Sequence, residues 1–168
     1  ARRGQVFFGP TAGEIDLSGL PSRSLPPGVT LAGTRGKSGS PGARLFATTF
    51  GRMFATAGAG VRLTGLRFEG ACAGTELVAA SAYFLAINHD DARVDNCEIS
   101  GFNVTGISVG KGAFKNRIDH NSIHHCQRGG YGYGVAVGGG ADARIIANTF
   151  DFCRHHVASS GEPGAGYE

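Results

Sequence analysis

The sequence predicts an all-β fold, a single-stranded parallel β-helix in which short strands and tight turns wind one coil per repeat. Three observations lead there. A ten-residue pattern recurs at 62–71, 93–102, 117–126 and 144–153. Each copy opens on Arg, follows it with an apolar anchor, and places a second apolar anchor five residues later: Leu63 and Phe68, Val94 and Ile99, Ile118 and Ile123, Ile145 and Phe150. The first anchors lie 31, 24 and 27 residues apart, so coils of about 22–31 residues are expected, a period characteristic of stacked repeats. The second observation is the odd anchor spacing. Along one strand only residues i, i+2 and i+4 share a face, so each copy must hold two strands with a bend between. The bend falls at Gly65-Leu66, Asn96-Cys97, His120-Asn121 and Ala147-Asn148, where Gly and Asn tolerate left-handed angles. The third is composition: 29 of 168 residues are Gly, against ~7% on average, Trp is absent, and no long amphipathic helical stretch is found.

The elements follow in order within one domain, 1–168. Residues 1–35 read as an opening cap and first coil. Val6-Phe7-Phe8 is a short apolar strand, 9–14 is turn chemistry, and Ile15-Asp16-Leu17 alternates as a half-buried strand does. Leu25-Pro26-Pro27-Gly28 leads into Val29-Thr30-Leu31. Residues 34–44 form a loop with three cations and no acid, most simply a solvated turn. Leu45-Phe46 and Met53-Phe54 resume strand character, and 61–157 carries the clearest repeats. Residues 70–81 are a small-residue insertion able to hold a helical turn. A further strand precedes each anchor pair, at 84–87, 107–109 and 135–137, which makes three strands per coil. Residues 156–158 would start one more coil, and the C-terminal end reads as incomplete, with an uncovered apolar face.

This pattern resembles the right-handed parallel β-helix superfamily, the pectate-lyase-like fold, from Gln5 to about Val157. The resemblance implies a right-handed coil. It leaves function open among lyases, hydrolases, epimerases, adhesins and metal-handling factors. The expectation for function is a secreted, periplasmic or cell-surface protein that binds or modifies a polysaccharide, with acidic chains favoured by the arginines; lyase- or epimerase-like catalysis is left open. The alternatives are a non-catalytic structural or adhesive module that self-associates through its coil ends, and a periplasmic metal-binding protein. A net charge of +3 and a pI near 8.8 set no partner by themselves. The residues suggest no nucleic-acid site, and no apolar run approaches the ~18 residues that span a bilayer.

Stacking turns sequence columns into neighbours about 4.8 Å apart. Arg62, Arg93, Arg117 and Arg144 form one outward column. Asp95 and Asp119, two residues along, are placed to offset them, or the arginines face an anionic polymer. The same two carboxylates could share calcium, a cation of oxygen ligands. The resemblance to pectate lyases implies that role for Asp95 and Asp119, with Arg117 or Lys115 as catalytic base; Ile146 breaks the acid column in the next coil. No cofactor other than calcium is suggested. Tyr131 and Tyr133, alternating with Gly, are expected on one face as platforms for sugar rings. Ser100, His124 and Asp151 share a column but lack an oxyanion hole, and most simply form an outward polar row. His120, His124, His125, His155 and His156 are metal-ligand candidates that need not cluster. Cys126 and Cys153 fall at equivalent positions, as stacked thiols or a disulfide.

Overall fold

The computed structural model describes residues 4–72 and 80–168. Three parallel sheets run along a right-handed solenoid of about six turns, with about 27 residues per coil. The first sheet has seven strands: Gln5–Phe7, Thr30–Ala32, Arg62–Thr64, Arg93–Asp95, Asn116–Asp119, Asp142–Ile146 and Gly166–Tyr167. The second has six: Glu14–Asp16, Arg44–Phe46, Arg67–Glu69, Glu98–Ser100, Ser122–His124 and Thr149–Asp151. The third has Arg23–Leu25, Gly51–Thr56, Ala82–Ile87, Thr105–Val109, Tyr133–Val137 and His155–Ser159. Among the described residues there is no α-helix, only a 3-10 turn at Lys37–Gly39.

The anchors stack as the repeat requires. Val94 is the register partner of Leu63 and Ile118, and Ile118 of Ile145. Ile99 pairs likewise with Phe68 and Ile123, and Ile123 with Phe150. Leu63, Ile99, Ile118 and Ile123 have no exposed surface, whereas Ile145 and Phe150 in the later coil are half-buried. Phe54, Phe68, Phe84 and Phe102 fill the interior between sheets, with ring centroids 4.4 to 6.2 Å apart. Full burial of such side chains contributes about 1.5–3 kcal/mol each.

The bends also fall where expected. Gly65, Asn96, His120 and Ala147 all have positive φ, between 53° and 66°. The residue after each bend turns inward, and two asparagines use that position as a backbone partner. Cys97 N–H donates to Asn121 Oδ1, and Asn121 N–H to Asn148 Oδ1, both at 2.9 Å. Asn121 Nδ2 donates to Val94 O and Asn148 Nδ2 to Ile118 O. These side chains satisfy backbone groups that the turn leaves without sheet partners.

Two strands were not legible beforehand. Arg23–Leu25 pairs with Phe54–Thr56, where the sequence was read only as a lead-in from Leu25 through Pro26-Pro27-Gly28. Gly166–Tyr167 pairs with Asp142–Ala143 on the first sheet, beyond the strand at His155–Ser159. The insertion at 70–81 falls largely on residues 73–79, outside the described residues.

Candidate functional site: an arginine ladder on the first sheet

The outer face of the first sheet is built by the repeat itself. Arg62, Arg93, Arg117 and Arg144 are successive register partners. The strands of Arg93 and Arg117 then place Asp95 and Asp119 two positions later, on the same face, where those of Arg62 and Arg144 carry Thr64 and Ile146. Arg62 grips the Asp of the next coil through both Nε and Nη2, donating to Asp95 Oδ1 and Oδ2 at 2.8 Å. Arg93 does the same to Asp119, at 3.0 and 2.9 Å. Arg117 finds Ile146 where the next acid would stand, so it turns to its own Asp119, with Nε donating at 2.8 Å. Arg144 pairs with Glu168.

This overturns one expectation. Asp95 and Asp119 do lie on the outer face, but they are not open carboxylates: both are fully buried beneath the guanidinium groups. Thr64 Oγ1 and Asn96 Nδ2 also donate to Asp95, and His120 Nδ1 donates to Asp119 Oδ2 at 2.9 Å. Burial pushes the Asp119 carboxyl up, yet hydrogen bonds from Arg93, His120 and Arg117 outweigh it and hold it at about 2. Asp95 is likewise lowered: burial opposes, and Arg62 and Thr64 prevail. Carboxylates whose oxygens already accept from cationic and neutral donors do not fit a calcium ion, which needs those lone pairs. Among the described residues no group of three or more His, Cys, Asp and Glu side chains could hold a metal.

The ladder is not electrically closed. Arg62, Arg93 and Arg117 share two carboxylates, and each uses its Nε–Nη2 edge for them. Their side chains remain 42%, 39% and 41% exposed. Among the described residues no hydrogen bond engages their Nη1 groups. A row of guanidinium edges at the strand spacing of about 4.8 Å therefore faces outward with surplus positive charge. Depressions of about 470, 700 and 510 Å³ open along this face, walled by Arg62, by Arg62 with Arg93, and by Arg117 with Arg144. Lys115 and Tyr167 share the last of these.

His120 was missed as part of this site. A carboxylate oxygen only accepts, so the Nδ1 facing Asp119 carries the proton. In the neutral ring Nε2 is then left as an acceptor, on a side chain 57% exposed. The signal for it was present: Asp119-His120 occupies the bend of the repeat, where a left-handed residue turns its side chain beside the preceding Asp. Arg117, anticipated as the base, turns its Nε–Nη2 edge to Asp119.

The other candidates lie elsewhere. Tyr133 is on the third sheet, its ring stacked on His155 at 5.4 Å, while Tyr131 sits in the turn before it under Arg128. Neither is placed on the first sheet with the arginines. Ser100, His124 and Asp151 share their column as expected. His124 instead lies 3.5 Å from Glu98, and that partner raises its pKa. Its Nδ1 is 2.7 Å from that of His125. His156 stacks on Phe150. Cys126 and Cys153 are free thiols, Cys126 donating to His124 O and Cys153 to Ile123 O and Asp151 O; the neighbouring Cys153 and burial raise the Cys126 thiol, and Cys126 lowers that of Cys153.

Comparison with known proteins bears on the whole coil. The sequence matches the family model described as "Right handed beta helix region" over residues 54–162. No curated protein matches it. Among solved structures, the crystal structure of alginate lyase from Paenibacillus sp. str. FPU-7 is similar, with a TM-score of 0.55 at 22% identity. The match covers 76% of this chain and 50% of that one, so the chain spans about half the length of that enzyme. At this identity the likeness concerns the fold.

Proposed function

The chain belongs to the right-handed β-helix family, and from that premise we propose that it binds an acidic polysaccharide along the outer face of its first sheet. The observation that carries this reading is the ladder of outward guanidinium edges, three arginines over two buried carboxylates. Arginine's planar fork suits carboxylates arrayed along a polymer. The buried aspartates hold the forks in place, so less conformational freedom is lost when an anion arrives. A polysaccharide lyase among the structural neighbours is consistent with this class of ligand.

Around Asp119 the same face has the groups for β-elimination at a uronic acid. His120 Nε2 takes the proton next to the carboxylate. The C–H electrons become the new double bond as the glycosidic C–O bond breaks. Arg93 and Arg117 stabilise the charge that builds on the uronate. Lys115, exposed in the neighbouring depression, supplies a proton to the departing oxygen. Removing an arginine outright would strand a buried aspartate, so the test is Arg62→Lys with Arg93→Lys and Arg117→Lys. This variant keeps charge on the carboxylates and removes the outward fork. Affinity for alginate or pectate, measured by titration, should fall about tenfold or more, and wild-type binding should weaken with salt. Equal binding by both proteins would overturn the reading. Elimination is followed by the ultraviolet absorbance of its conjugated product, and His120→Ala should abolish it while polymer binding persists.

Exposed apolar side chains on the first and last coils, Val6 and Phe7 at one end and Phe152 at the other, favour a second reading as a self-associating module. Sedimentation at rising concentration tests it. A monomer throughout, together with polymer binding, would exclude it.

A further inference from the structure

The strand Gln5–Phe7 opens the first sheet, and its side chains alternate between the two faces like those of the strands stacked on it. Val6 is the register partner of Leu31, which belongs to the core, so Val6 faces inward and is exposed only as part of a coil end. Gln5 and Phe7 take the opposite face, the one that carries the arginines. Gln5 heads the column that runs through Thr30 to Arg62, Arg93 and Arg117. Phe7 heads the column beside it, which runs through Ala32 and Thr64 to Asp95 and Asp119. Where later coils set a carboxylate, the first coil thus sets an aromatic ring. Phe7 is 55% exposed. Ala32, next in the column, carries only a methyl group, so no long side chain stands between the ring and Thr64. A depression of about 470 Å³ brings Phe7 together with Ala32, Thr64, Arg62, Arg35 and Lys37. Arg35 is tied through Nη1 to Asn96 O at 3.3 Å and lies 3.6 Å from Glu98. Lys37 is exposed, and among the described residues it pairs with no carboxylate.

We propose that Phe7 is a stacking subsite for an acidic polysaccharide, placed where the polymer runs on past the arginine ladder. The proposal rests on the polyuronate reading of the first sheet and extends it by a contact of different chemistry. A pyranose presents a C–H face and a polar rim. The electron-rich face of Phe7 suits the C–H groups, while Arg62 and Lys37 border the same depression and suit the carboxylate at the rim. The ring is uncharged, so its share of the binding is not screened by salt as that of the arginines is. The subsite also sets the direction of the polymer. Phe7 stands four strands from Arg117 in the first sheet, a distance of about 19 Å. A polymer lying parallel to the solenoid axis meets both. One lying along the strands meets a single coil and misses either the ring or the ladder. A disaccharide is too short to span the two, so the subsite favours long chains.

The test uses hexamers of mannuronate, guluronate and galacturonate, titrated by calorimetry. Phe7→Ala should lower affinity for the bound hexamer about tenfold and melt as the wild type does. The chain has no Trp, so Phe7→Trp keeps a platform and makes it the sole indole reporter. This variant should retain wild-type affinity, and its emission should shift as the hexamer saturates it. If no hexamer binds the wild type, the first-sheet reading falls and the subsite with it. If wild type and Phe7→Ala bind a hexamer equally, or if the Phe7→Trp emission stays unmoved at saturation, the subsite falls and the ladder stands. Loss of self-association by Phe7→Ala in sedimentation, with hexamer affinity unchanged, would assign the ring to a contact between copies and also overturn the subsite. Should Phe7→Ala not fold, the Phe7→Trp emission decides.

Discussion

On the outer face of the first sheet, Arg62, Arg93 and Arg117 stand one above another over the buried Asp95 and Asp119. On that of the third, Arg52 lies over Tyr83 and Tyr133 over His155, and no carboxylate takes part. Both columns arise from the same stacking. It makes neighbours of equivalent residues, so a repeated charge meets itself and a repeated ring meets a ring. Equal charges about 4.8 Å apart repel, and the first face can exist only with acids set between its cations. Rings attract one another without counter-charges. The first face should therefore lose its ion pairs as the carboxylates are protonated and be screened by salt, whereas the contacts of the third need no carboxylate.

The largest effect removes what the two faces share. Ile118 is fully buried between Val94 and Ile145. Ile118→Asp introduces an unpaired buried carboxylate that costs several kcal/mol, a large part of a typical total of 5–15 kcal/mol. Thermal melting by circular dichroism should show no cooperative transition; a cooperative melt near the wild-type temperature would mean the coils do not share one core.

Next comes Asp119→Asn, expected to cost about 2 kcal/mol at neutral pH, since a pKa unit corresponds to about 1.4 kcal/mol. The folded value of about 2 lies below the usual 3.8, so this stabilisation is fully present above pH 4 and is lost as pH falls through 2. The difference in melting temperature between wild type and variant should stay flat from pH 7 to 5 and shrink below 4. Thr105→Phe on the third sheet should show no such trend. A pH-independent gap for Asp119→Asn would show that the ion pairs do not govern the first face.

A smaller change sharpens the same contrast. Thr64→Val removes one donor to Asp95 and should cost about 1 kcal/mol in urea unfolding. Lys115→Ala should alter stability by less than about 0.5 kcal/mol while weakening polyuronate binding. A large stability loss there would move Lys115 from the groove into the scaffold.

The anchors and bends were legible because they recur. Leu63, Val94, Ile118 and Ile145 announce one inward column, and the odd step to their partners requires the turn that Gly65, Asn96, His120 and Ala147 make. The arginine column was legible for the same reason. The condition of Asp95 and Asp119 was not: alternation tells which face a side chain takes, not whether a longer neighbour closes over it. Tyr131 and Tyr133 were assigned to the polysaccharide together with the arginines, yet the winding carries Tyr133 to another sheet. His120 was visible as a bend residue, but its carboxylate partner emerges only from the turn of the backbone.

By itself, then, the order of residues determined the period, the inward and outward columns and the identities along each, because in-register parallel stacking maps sequence position directly onto height and face. Only the tertiary structure decided which partner each long side chain takes. Arg62 and Arg93 reach to the next coil, while Arg117, meeting Ile146 there, folds back onto Asp119. That choice is a competition among charges, desolvation and reach within a few ångströms, and those distances exist only once the coils lie on one another.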